Sequence, residues 1–79
     1  SKGNKVANQF IISTPVGRIF QSYDKIIAFS PYKGITILDE KYWNYSRTTG
    51  KYRTQFLREG INITRIKIID GRYKLANLN

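Results

Sequence analysis

The segment INITRIKIIDGRYKL, residues 61–75, admits two readings that build different proteins. At helical spacing, Ile63, Ile66 and Ile69 recur every three residues, Asn62 stands as the N-cap and Gly71 as the stop past the last turn. Read as strands, IKII-DG-RYKL is a hairpin, because Asp-Gly fits a type I′ turn. The hairpin must place both Ile68 and Ile69 on one strand, which leaves one of them exposed. The helix over 61–70 is therefore preferred, with the hairpin as the alternative, and Tyr73–Leu78 closes the chain as a last strand.

Upstream, the first half reads as strands. Gln9–Thr14 is β-rich and stopped by Pro15, and Pro15-Val16-Gly17 connects it to Arg18–Tyr23, with Gly17 supplying a positive φ. In that second strand Ile19, Gln21 and Tyr23 share one face and Phe20 takes the other. Lys25–Ser30, the Pro31–Gly34 loop and Ile35–Leu38 complete a meander with short connections. The two-residue alternation ends at Asp39. Ser46 is a good N-cap, its hydroxyl accepting from the amide of Thr48 or Thr49, and residues 47–58 follow as a helix. Wound at about 100° per residue, that helix groups Arg47, Lys51, Thr54 and Arg58 within about 60°. Thr49, Tyr52 and Phe56 fall on the opposite side, with Leu57 at its margin. Gly50 costs this helix about 1 kcal/mol. The fold expected is α+β: an antiparallel meander of three to five strands, covered on one face by one or two helices from the C-terminal half.

Seventy-nine residues make one core, here assigned to 8–79, with residues 1–7 as a flexible tail. Stability of about 4–8 kcal/mol suits that size. The sequence contains no cysteine and no histidine, so disulfides, thiolate metal sites, imidazole acid–base work and thiol nucleophiles are all excluded. The longest apolar run, Ile26–Phe29, is far short of the roughly 20 residues that span a bilayer. No membrane partner and no cofactor are expected, and the cysteine-free composition suits a reducing cytoplasm. The five carboxylates, Asp24, Asp39, Glu40, Glu59 and Asp70, read as solvated turn and cap residues rather than a catalytic pair. TTGK lacks the spacing of a phosphate-binding loop. No enzymatic activity is expected.

Charge is the stronger signal. The chain carries a formal +9, and residues 41–58 hold Lys41, Arg47, Lys51, Arg53 and Arg58 with no acid among them. Ordinary surfaces intersperse both signs. A helix edge of Arg47, Lys51 and Arg58, joined by Arg53, could track phosphates, and Ser46 and Thr48 at its start could add donors. The plainer reading of each charge is a solvated helix face. Among the rings, Phe10, Phe20, Phe29, Trp43 and Phe56 are assigned to the core. Tyr32 and Tyr45 are the rings expected outside, where they could stack on bases.

The motifs FQSYDKIIAF (20–29), LDEKYW (38–43) and YSRTTGKYRTQFL (45–57), with NQFII and the terminal LANLN, carry a resemblance over 8–79. The chain resembles a family of small proteins from phages, prophages and mobile elements of gut and lactic bacteria, for which no activity is established. The resemblance implies a phage-type protein acting inside a host cell. It also implies a helix at 61–70, where relatives are more polar and this chain is isoleucine-rich. Composition and resemblance together give a small basic nucleic-acid-binding protein, with DNA and RNA both open. The second reading is an anti-defence or anti-CRISPR-like inhibitor or adaptor, docking on an acidic host protein or a protein–RNA complex. A third is a symmetric homo-oligomer built on an exposed edge strand.

Overall fold

Short turns between alternating segments leave the first half of the chain one economical arrangement, neighbouring strands paired in sequence order. In the computed structural model, which describes residues 8–79, β1 (Gln9–Thr14), β2 (Gly17–Ser22), β3 (Lys25–Pro31) and β4 (Thr36–Asp39) form that antiparallel meander. Helices α1 (Arg47–Leu57) and α2 (Ile61–Ile69) follow, and β5 (Tyr73–Ala76) joins beside β4. The α+β architecture with two helices in the C-terminal half matches the expectation. The sheet, however, is mixed rather than wholly antiparallel, because β5 runs parallel to β4. Two helices separate these strands, so the chain crosses over and re-enters the sheet in the direction of β4, which a tight turn could not do. The tail assigned to residues 1–7 lies outside the described residues.

The first hairpin is locked by Thr14, whose hydroxyl accepts from the amides of Val16 (3.2 Å) and Gly17 (3.1 Å) and donates to the Gly17 carbonyl (2.8 Å). Gly17 is not required for a positive φ, contrary to the sequence reading. A Cβ there would lie 2.6 Å from Pro31 Cα and from the Ser30 carbonyl, so close approach of β3 is what demands glycine. Between β2 and β3 the register slips: Phe20 pairs with Ala28 but Gln21 with Ile26. Ile27 is the extra residue of this bulge, which lets the consecutive Ile27 and Ala28 both be buried.

Phe20, Ile27, Ala28, Leu38 and Phe56 make the core between the sheet and α1, with Trp43, Tyr52, Ile68 and Tyr73 packed around it. Phe20 and Phe56 stack with centroids 5.8 Å apart. Among the described residues the opposite sheet face carries no helix, and cross-strand pairing lines Ile12, Ile19, Phe29 and Ile37 along it. Hence two of the five rings assigned to the core differ in kind from Phe20 and Phe56. Phe10 is 45% exposed and Phe29 half-buried, because both project from the uncovered side. Trp43 is half-buried as well.

The segment 61–75 is helix, but rotated from its sequence reading. Ile63, Ile66 and Ile69 face outward, Ile69 with 85% of its surface exposed, while Thr64 is buried and Ile68 half-buried. Polar anchors set this rotation. Thr64 Oγ1 donates to Glu59 (2.8 Å) and Lys67 Nζ pairs with the same carboxylate (2.7 Å), turning that side of α2 inward. The helix also starts earlier than expected. Gly60, not Asn62, is the N-cap, its carbonyl accepting from the Thr64 amide at 3.1 Å. Gly71 takes φ +88° just past the end, as a stop residue should.

Candidate functional site

The exposed side of α1 is built from its first turn outward. Ser46 is extended and its Oγ accepts from the Thr49 amide (3.1 Å), the expected N-cap. The same hydroxyl donates to Thr49 Oγ1 (3.0 Å), which lies 2.9 Å from the buried Ser22 Oγ on β2. This hydroxyl chain pins the start of α1 to the sheet and fixes the helix rotation. It also engages Ser46 inward, so Ser46 is a structural cap rather than a free donor. Thr48 remains exposed, and the amides of Arg47 and Thr48 have no intrahelical acceptor.

With Thr49 and Phe56 turned into the core, Arg47, Lys51 and Arg58 are exposed on the far side, and none forms an ion pair among the described residues. From Arg47 to Arg58 the helix rises about 16 Å. Lys51 Nζ lies 5.4 Å from the Tyr52 ring, and Arg58 closes the helix in the left-handed region at φ 60°. Thr54 is half-buried between them.

Arg53 departs from the expectation. It is 2% exposed and stands over the Trp43 ring at 5.2 Å, its Nη1 donating to the Trp43 carbonyl (2.8 Å) and Asn44 Oδ1 (2.9 Å). Burial pushes its guanidinium below the ordinary arginine value, the charge of Arg65 adds to this, and Glu59 opposes it. Arg53 thus holds the 43–44 loop against α1 and is unavailable to a phosphate. Helical phase alone already placed it beside Thr49 and Phe56, on the inward side.

The two rings expected outside are outside, but apart. Tyr32 follows the end of β3, whereas Tyr45 packs edge-on to Tyr42 (5.4 Å), whose ring receives Lys25 Nζ at 5.1 Å from the start of the same strand. Seven residues of strand separate those ends by about 23 Å. Tyr45 therefore belongs to the N-terminal end of α1 and Tyr32 does not. Lys25 and Tyr42 were not singled out from the sequence, because only the β2–β3 turn and the loop after β4 bring them together.

Asp39 builds that loop. Rather than a solvated turn residue, it is buried, its Oδ2 accepting from the amides of Lys41 (3.0 Å) and Tyr42 (2.9 Å). Its Oδ1 accepts from the Leu78 amide (2.8 Å) and Asn79 Nδ2 (3.0 Å). Burial by itself would raise its pKa, but these four hydrogen bonds together outweigh it and hold the carboxyl below its usual range. Glu59 is likewise paired, with Lys67 and Thr64. Among the described residues no group of three or more acidic, histidine or cysteine side chains could hold a metal ion, and no helix is long and apolar enough to cross a membrane.

The chain belongs to a family of unknown function, DUF8033, whose model matches residues 1–71. No curated protein and no solved structure matches it.

Proposed function

We propose that this member of DUF8033 is a small non-catalytic nucleic-acid-binding protein that contacts phosphates with the outer side of α1. The observation that carries the reading is the row Arg47, Lys51 and Arg58, exposed opposite the packed face and free of ion pairs among the described residues. Its rise of about 16 Å covers roughly five phosphates of one strand at 3.4 Å each. The amides of Arg47 and Thr48, which have no intrahelical acceptor, add donors at the positive end of the helix. Tyr45, with Tyr42 and Lys25 behind it, offers a ring on which a base can stack beside that end. Phosphate contacts and ring stacking of this kind give salt-dependent affinity.

The test is a titration of duplex and single-stranded oligonucleotides at several salt concentrations. The parent should show a slope of log K against log salt of about −2 to −3, for three phosphate contacts. Arg47→Glu with Lys51→Glu should abolish binding at moderate salt while leaving the circular dichroism spectrum intact. Reversal of Lys2 and Lys5 should matter much less. If all three proteins bind nucleic acid equally weakly, and only a host protein distinguishes them, the inhibitor reading replaces this one.

A further inference from the structure

The sheet has two edges, and they are protected very differently. β5 is four residues long and carries the exposed Lys74, a common way of discouraging strand addition. β1 is six residues long, QFIIST, with no charge, no proline and no bulge in its pairing to β2. Among the described residues its other side pairs with no strand, so alternate amides and carbonyls of the strand face outward. Three consecutive side chains stand exposed on it: Phe10 at 45%, Ile11 at 55% and Ile12 at 40%. Pairing with Phe20 puts Ile11 on the helix side, and pairing with Gln21 and Ile19 puts Phe10 and Ile12 on the open side. The open side of the edge thus presents Phe10 and Ile12, and Ile11 adds an exposed apolar side chain between Gln9 and Ser13 on the helix side.

Beside this edge lies an open cleft of about 510 Å³, walled by β1 and by Tyr52 and Gln55 of α1. An uncharged edge strand beside a largely apolar cleft describes a surface prepared for another strand.

We infer that β1 is the interface of a homodimer, pairing antiparallel with β1 of a second copy about a two-fold axis. Self-complementarity argues for this occupant, and charge locates the contact on β1. A chain of net +9 repels its own kind over most of its surface, but the six residues of β1 are uncharged, so two copies meet there without cross-strand repulsion. An antiparallel pair of identical strands is self-complementary, as an isologous contact requires. The result is a ten-stranded sheet with both α1 helices on the same side. Ile11 of each copy enters the cleft beside its partner's Tyr52 and Gln55. A six-residue strand pair falls below the roughly 1,200 Å² of tight complexes, so the dimer should form in the micromolar range.

Sedimentation equilibrium over about 5–500 µM should show reversible passage from 9.2 kDa to twice that mass. Ile11→Lys should stay monomeric throughout with an unchanged circular dichroism spectrum. The chain has no cysteine, so single-cysteine variants at positions 10–13 give a second, folding-independent reading: mild oxidation should cross-link at least one of them rapidly. Ile37→Cys on the open sheet face and Ile66→Cys on the outward side of α2 should not cross-link. A parent that remains monomeric at every concentration overturns the inference, as does cross-linking at Ile37 or Ile66 as fast as on β1.

Discussion

Phe10 and Phe56 are equivalent on composition grounds, yet their environments predict very different costs of truncation. Phe56 is 5% exposed, stacks on Phe20 and receives the Arg18 guanidinium 4.9 Å from its ring centroid. Truncation to alanine removes this contact between α1 and the sheet and leaves a cavity that the short helix is too firmly pinned at Ser46 to close. The expected cost is about 3–5 kcal/mol, most of the roughly 4–8 kcal/mol a domain of this size has. At about 4–8 °C per kcal/mol, the melting temperature should fall by more than about 12 °C. Phe10, nearly half exposed on the uncovered face, should lose about 1 kcal/mol or less on the same change. Phe56→Leu, which keeps much of the volume, should lie between them. Urea and thermal melts followed by circular dichroism, run at low micromolar concentration to exclude self-association, give all three values. Equal losses at positions 10 and 56 would refute the two-layer packing and the assignment of the open face.

Two further predictions concern residues whose roles the fold revealed. Asp39 has a folded pKa below its unfolded value, so its stabilisation is complete above about pH 4 and disappears as pH falls through the folded value. Asp39→Asn should be clearly less stable at neutral pH and converge with the parent toward pH 2; a difference that stays constant across the acid range would show that the carboxylate charge is not what the four donors recognise. Arg58→Gly should raise stability by about 0.5–1 kcal/mol, because it removes a side chain from the left-handed conformation at the helix end. It should also weaken oligonucleotide binding and flatten the salt slope by about one. If stability and affinity fall together, Arg58 contributes to the fold in a way its geometry does not show.

What the sequence determined by itself was local. Alternation, proline and glycine placement, and the Ser46 cap sufficed for all five strands, for α1 with its basic side and for a helix at 61–70, because these depend on neighbours within a few residues. It also placed Tyr32 and Tyr45 outside. Tertiary structure decided everything that depends on what an element packs against. The direction of β5 follows from the crossover, not from any residue within Tyr73–Ala76. The isoleucines of α2 have perfect helical spacing, yet they face solvent because Glu59 binds Thr64 and Lys67 on the other side. A periodic pattern finds a helix but not its rotation when polar anchors compete with apolar area. Arg53 and Asp39 read as surface charges because such residues are rarely buried, although helical phase sets Arg53 on the inward side of α1. Only the fold supplies the carbonyls, amides and ring that make their burial tolerable. The cleft beside β1 and the cluster of Lys25, Tyr42 and Tyr45 have no sequence signature either, since their members are joined by strand pairing and loop closure across distant parts of the chain.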